Sequence, residues 1–276
     1  MRFDSPSFEH ARHARESLAA AWDRGGVAPL AAELVAQRRR VVQWGRVVRH
    51  LPWMHLWIGS GPAADEIWRR TGPRVCALTG RRPARAVLIV PPDPADYLRG
   101  RTRQALRTNS SRARRLGIAC RRVDGDAEKR ALLLEHLRSR REDVDTFERE
   151  QRIRVEDAEV HVAERAGAIE AIAMVYVAAE AAYLAYLRAG LDERYSSAAR
   201  YALSAAVTQS LSARGVRAQI SGSALGVDPG TAYLQQRLGY SIGNVYLDRR
   251  ARLAAAPPQL VLAVHTTAAA HEAAAL

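Results

Sequence analysis

Residues 171–187, AIAMVYVAAEAAYLAYL, make the longest apolar run in the chain, broken by a single charge at Glu180. A membrane-spanning helix needs about 20 apolar residues, and an acid at the centre of so short a run argues against one. Valine, tyrosine and small residues alternate along it, which reads as two buried strands joined at Ala179–Ala182.

The flanking sequence supplies further elements in order. EVHVAER (159–165) is a strand before the run, with a turn at Gly167. After the run come a long helix from Ser196 to Gly215, a strand VRAQISGSA, a short helix GTAYLQQRLGY and a last strand IGNVYLDR. A helix over residues 126–150 precedes the series. Towards the N-terminus, residues 7–40 read as two helices broken at Gly25–Gly26, and VVQWGRVVRHLPWMHLWIG suits strands or a mixed core layer. RVCALTG and RAVLIV read as strands, and the alanine-rich tail holds one apolar run, QLVLAVHT, that suits an edge strand. Three segments are expected: 1–124, ending in a basic helix; 125–250, the main domain; and 251–276, the tail.

Charge narrows the partners. The formal net charge is +13, with Lys129 the single lysine among 42 basic residues. An excess of this sign favours polyanionic partners: nucleic acid, phosphorylated cofactors or acidic membrane surfaces. Two cysteines, Cys76 and Cys120, give neither a metal spacing nor a disulfide framework, and residues 1–20 lack the apolar core of a signal peptide, so a cytoplasmic protein is expected. No histidine pair has convincing ligand spacing, so no metal is expected. The excess is concentrated between Tyr97 and Val123, where nine arginines stand without one acid. Read as one helix over 95–116, this segment docks by a narrow apolar stripe of Leu98, Ala105, Leu106, Ala113 and Leu116. Arg99, Arg103, Arg107 and Arg114 flank one side, and Arg101, Arg112 and Arg115 the other. A phosphate backbone is the natural counterpart, with Arg99, Arg103, Arg107, Arg112, Arg114 and Arg115 as its contacts.

A second anion site is suggested by LAYLRAGLDERYSSAARYAL (184–203). A strand leads through a short polar turn into a helix whose first residues are small. Ser196, Ser197 and Ala198 let a phosphate approach the N–H groups of the helix N-terminus, and Arg194 and Arg200 stand beside them.

The order helix, three antiparallel strands, helix, strand, helix, strand resembles the GNAT N-acyltransferases. YLRGRTRQALRTNSSRARRLGI, LAYLRAGLDERYSSAARYAL and GTAYLQQRLGY resemble, more narrowly, the FemAB-like branch. The resemblance covers about residues 85–248 and implies a mixed, mostly antiparallel sheet flanked by helices, after a degenerate N-terminal GNAT-like half. It implies an acyl donor received where the strand ends near Leu187–Gly190, its phosphate held at Ser196–Ser197. Two departures bear on the donor. Arg194-Tyr195-Ser196-Ser197-Ala198-Ala199 replaces the glycine-rich pyrophosphate loop of acetyl-CoA users, and Gln235 stands where many members carry a tyrosine acid. Both fit a leaving group with its own proton path, such as the ribose of a tRNA 3′ end.

The expected activity is therefore amide-bond formation, passing an aminoacyl group from aminoacyl-tRNA to a free amine, small-molecule or peptide-borne, with no permanently bound cofactor. Direct attack needs an aimed amine, a base and a donor for the developing oxyanion. Asp228 is the base candidate, beside Asp143 and Asp145, with Tyr233 a substitute for the absent acid and Tyr186 on the donor strand. Strand alternation sends Tyr183 to the face opposite Tyr186. His161, between two valines on its strand, reads as a core histidine. An acyl-CoA-dependent N-acyltransferase and a non-catalytic nucleic-acid-binding module on the same fold are the alternatives.

Overall fold

The computed structural model describes residues 38–71, 81–142, 154–224 and 227–250 continuously, and residues 32, 33, 35, 36 and 147 singly. The tail strand, most of the helical pair expected over 7–40, Cys76, Asp143 and Asp145 lie outside the described residues. The chain runs α1 (Arg38–His50), β1 (Trp53–Trp57), α2 (Pro62–Arg70), β2 (Arg81–Ile89), α3 (Gln104–Arg115), β3 (Ala119–Val123) and α4 (Asp126–Ser139). Then follow β4 (Glu159–Arg165), β5 (Ala168–Ala178), β6 (Ala181–Ala189), α5 (Glu193–Ala213), β7 (Ala218–Ser223), α6 (Pro229–Leu238) and β8 (Ser241–Asp248).

All eight strands join one sheet in the order β1-β8-β2-β7-β6-β5-β4-β3. Only β1–β8 and β6–β7 are parallel; the other five neighbouring pairs are antiparallel. This is the mixed, mostly antiparallel, helix-flanked sheet of the expected fold class. Helices α2 and α4 cover one face through Ile67, Leu133 and Leu137, packed on Val160, Met174 and Leu247. On the other face lie α3, α5 and α6, with Leu106, Leu203, Leu211 and Leu238 against the sheet. Strands β1 and β2 are sewn into the later strands, β2 lying between β7 and β8. Asn244 on β8 fixes that junction: its Oδ1 accepts from the Ala84 N–H at 2.9 Å, and its Nδ2 donates to the carbonyls of Val48 at 2.7 Å and Leu51 at 3.3 Å.

The apolar run forms β5 and β6, turning at Ala179, which takes a positive φ of 47°. Several boundaries differ from the sequence reading. The mixed tract at 41–59 falls on helix α1 and strand β1, its valines spaced for a helix up to His50. The basic segment is not one helix. Two 3₁₀ turns, Pro94–Leu98 and Arg101–Arg103, precede α3, and Gly100 between them has φ 88°. The single wheel therefore does not relate Arg99 and Arg103 to the later arginines. Helix α4 stops at Ser139, where Arg141 takes φ 58° and ends the helical path. Helix α5 starts three residues before Ser196, because Asp192 caps it by accepting from the Arg194 N–H at 3.0 Å.

Candidate functional site

Two neighbouring strands separate in mid-sheet. β6 and β7 pair only through Ala181–Ala218, Ala182–Gln219 and Tyr183–Ile220. Beyond Tyr183, β6 stays on β5 as far as Ala189, while β7 stays on β2. The cause lies in β6. Met174 pairs with Tyr186 and Val175 with Leu184, so Ala185 is an extra residue, a β-bulge. A bulge bends its strand and sharpens its twist, and here it falls where β6 leaves β7. It also overrides simple alternation. Tyr183, Ala185 and Tyr186 all join the core beneath α2 and α4, whereas Leu184 and Leu187 face α5. The expected opposition of Tyr183 and Tyr186 is thereby corrected.

On the α5 side the gap is closed by side chains. Leu88, Tyr97, Leu187, Leu238 and Tyr240, with Ser204, Thr208 and Gln219, surround a cavity of ≈ 10 Å³, about the space one water occupies. Tyr97 is fully buried and donates its hydroxyl to the Leu238 carbonyl at 2.9 Å. On the opposite side the parted half of β6 meets the end of α4, where Arg140 donates to the Ala189 carbonyl at 2.6 Å. Beneath that contact lie Tyr186, 7% exposed, and His136, 0% exposed. Neither the Tyr186 hydroxyl nor either ring nitrogen of His136 has a hydrogen-bond partner. Burial pushes the Tyr186 hydroxyl up to about 12, with the Glu142 charge adding to it. Burial likewise brings the His136 imidazole down to about 4, helped by the Arg140 charge. Both groups are neutral at physiological pH.

The expected anion site at α5 takes another form. Asp192 is its N-cap, paired with the Arg194 guanidinium at 3.1 Å, and Glu193 opens the first turn. The Ser196 N–H already donates to the Asp192 carbonyl at 2.9 Å. Ala198 and Ala199 are buried against β5 and α3, and their small size lets the helix lie close. Tyr195 stacks under Arg165 at 3.8 Å, and the Nε of Arg200 is buried without a partner.

The arginines divide into two groups. Arg107 donates to the carbonyls of Leu98 at 2.7 Å and Gly100 at 2.6 Å, tying down the turn before α3. Arg103 stacks on Tyr97 at 5.2 Å and lies against Gly239, the left-handed C-cap of α6, where a side chain would collide with it. A cation there also meets the negative end of α6. Arg99 is exposed and pairs with Asp96, Arg112 reaches the Arg194 carbonyl at 3.3 Å, and Arg114 and Arg115 are exposed.

The proposed acid and base residues are not assembled. Asp228 caps α6, accepting from the Thr231 N–H at 2.9 Å, and the Thr231 side chain together with that N–H holds its carboxyl below the usual range. Tyr233 is 56% exposed on α6 beneath Arg237, across the sheet from Tyr186. Gln235 is buried and donates to the Ser221 hydroxyl at 3.1 Å. His161 is buried in β4, 3.6 Å from Glu159. His136 went unremarked in the sequence. The available signal was its position among Lys129, Leu133 and Leu137 on the buried face of α4. Among the described residues no cluster of His, Cys, Asp or Glu suits a metal, and no helix is long and apolar enough to cross a membrane.

The antiparallel strands, the bulge and the parted parallel pair give the chain a GNAT-like fold. No family model and no curated protein matches it. Among solved structures, one match is the C-terminal domain (DUF2156) of a protein assigned as a lysylphosphatidylglycerol synthetase from Agrobacterium fabrum. The identity is 17% and the TM-score 0.43, over 61% of each chain. A conserved protein of unknown function from Bacteroides thetaiotaomicron matches at 14% identity and TM-score 0.42, over 58% of this chain and 57% of that one. L-PGS from Bacillus licheniformis matches at 13% and 0.39, over 58% of each. The chain thus covers less than two thirds of each of these chains. The narrower resemblance to the FemAB-like branch is corrected by these matches, which fall on the DUF2156 domain and L-PGS instead.

Proposed function

We propose that the chain is an acyl-transfer enzyme that moves an aminoacyl group from aminoacyl-tRNA to an acceptor amine or hydroxyl, the reacting carbonyl lying where β6 and β7 part. The parting at the Ala185 bulge carries this reading. It parts two backbones in the middle of the sheet, and an extended acyl arm that displaces the side chains filling the gap would be held there in position. Two features favour tRNA over coenzyme A. The carboxylates of Asp192 and Glu193 stand at the N-terminus of α5, where they oppose a pyrophosphate. The net charge of +13 and the exposed arginines Arg99, Arg112, Arg114 and Arg115 suit a long polyanion. Aminoacyl-tRNA acts as co-substrate, and the ester oxygen leaving the acyl carbon becomes a ribose hydroxyl.

The test is transfer from tRNA charged with labelled amino acids to a panel of amines and to vesicles containing phosphatidylglycerol, the lipid in the name of the Agrobacterium fabrum protein. Acceptor-dependent movement of label is the expected result. Label that stays on tRNA with every acceptor, while acyl-CoA supports acylation, overturns the tRNA donor.

A further inference from the structure

Two buried side chains without a hydrogen bond, His136 and Tyr186, sit together at the parted end of β6. Their rings stand edge to face at 84° with centroids 6.5 Å apart, and Phe147 braces Tyr186 from another side, 5.1 Å between centroids. Three polar atoms here lack partners: Tyr186 Oη, His136 Nδ1 and His136 Nε2. Leaving such groups buried and unbonded is costly, and at these positions leucine and phenylalanine would fill the same space without that cost. The surroundings are apolar, formed by Leu133, Leu137 and Met174 of the same core. Above them Arg140, Glu142 and Arg188 make a polar rim, in which Arg140 pairs with Glu142 at 2.7 Å.

We propose that His136 and Tyr186 are two uncharged donors that together hold the carbonyl oxygen of the transferred acyl group, an inference that rests on the acyl-transfer reading above. Each donor reaches about 3 Å, and the ring contact keeps the two groups together beneath the parted end of β6. The acceptor's nucleophilic atom forms a bond to the carbonyl carbon, and the C=O electron pair moves onto oxygen. That oxygen receives the Tyr186 O–H and one His136 ring N–H. Collapse restores C=O and breaks the bond to the ribose oxygen, which takes the proton lost by the nucleophile. Neither side chain gains or loses a proton. Donors already stripped of water need no reorganisation when charge develops, and this is where such bonds are worth most. The environment matches the role, since the imidazole and the phenol both stay neutral while Arg140 and Arg188 lie close by.

The experiment compares His136→Leu, His136→Gln and Tyr186→Phe in the full chain by thermal unfolding, tRNA binding and transfer rate. His136→Leu and Tyr186→Phe are expected to hold or raise the unfolding midpoint and to leave tRNA affinity unchanged. Each should lower the transfer rate by about 10²–10³-fold, as removal of one oxyanion donor does. His136→Gln, which keeps an N–H donor but cannot titrate, should recover part of that loss, and the wild-type rate should show no inflection that His136→Gln removes. A lowered midpoint in His136→Leu or Tyr186→Phe makes the groups structural and overturns the proposal. So does an unchanged transfer rate, or an inflection near neutrality that vanishes in His136→Gln, which makes the imidazole a base. A wild-type chain that transfers from no charged tRNA fails the proposed function instead. The stability comparison then decides alone: raised midpoints keep the pair as a ligand site, and lowered midpoints remove it.

Discussion

The arginine-rich segment and the α4–β6 layer treat polar groups in opposite ways. Around α3, Arg107 holds two carbonyls and Arg103 lies on Tyr97 and Gly239. Between α4 and β6, His136 and Tyr186 are buried with no hydrogen bond at all. Charge that is abundant in the sequence is thus partly consumed in building the fold. Polarity that is sparse in the sequence is left available where two strands part. Net charge describes a long-range field, whereas a reactive site needs groups whose bonding capacity the fold has not used.

The sharpest way to break this contrast is to remove the bulge. Deleting Ala185 lets Leu184 and Tyr186 follow in regular register against Val175 and Met174, with both side chains on their present faces. The fold should survive, as read by circular dichroism and a cooperative unfolding transition, because no core residue changes sides. Transfer should fall by about 10²-fold or more, the size of effect expected from displacing a reacting group by about 1 Å. Retained transfer would separate the bulge from function and leave the contrast with no mechanical origin.

A second comparison lies within the arginines. Arg107→Ala removes charge-assisted bonds to two carbonyls and should cost about 1.5–3 kcal/mol, measured by urea unfolding. Arg114→Glu with Arg115→Glu should stay within about 0.5 kcal/mol of wild type, because both side chains are exposed. The same pair should weaken tRNA binding and lower the log–log salt slope by about 1 for each phosphate no longer neutralised. If the double variant binds tRNA normally, the exposed arginines are a solvated surface and the polyanion lies elsewhere.

The sheet-forming half of the molecule was legible because its signals are local. The run 171–187 dictated two buried strands, and the short helix read at GTAYLQQRLGY fell on α6. The site was less legible because its determinants are relations between elements. Nothing in YLAYL announces a bulge, since Ala185 becomes the extra residue only against Met174 and Val175 of the facing strand. Alternation consequently put Tyr183 and Tyr186 on opposite faces, and the structure puts them on one. His136 sits among leucines at helical spacing, and only the shape of the folded core shows its nitrogens without partners. The arginines misled in the converse way. Gly100 broke the segment that a single helical wheel had treated as continuous, and carbonyl acceptors that no sequence pattern displays took up Arg107.

The last comparison separates an ion-paired, partly buried carboxylate from an unpaired, neutral buried imidazole by pH. Burial alone would raise the Glu159 carboxyl, but His161 at 3.6 Å and the Arg214 guanidinium bring it down from 4.5 to about 2. The folded chain therefore binds that proton more weakly than the unfolded chain. The stabilisation is complete above about pH 4.5 and is lost as pH falls towards 2. His136 acts in the same direction in a higher window. Burial beside Arg140 and Arg188, only partly offset by Glu142, lowers it from 6.5 to about 4. Stability should accordingly fall between pH 6.5 and 4 as the unfolded chain takes up a proton that the folded chain refuses. Unfolding measured across pH 2–7 should lose its upper slope in His136→Leu and keep its lower one, whereas Glu159→Gln should do the reverse. The two variants differ further at pH 7, where Glu159→Gln lowers stability by giving up a paired carboxylate and His136→Leu does not. If His136→Leu leaves the upper slope intact, the imidazole titrates normally in the folded chain, and the neutral donor assigned to the α4–β6 layer is lost with it.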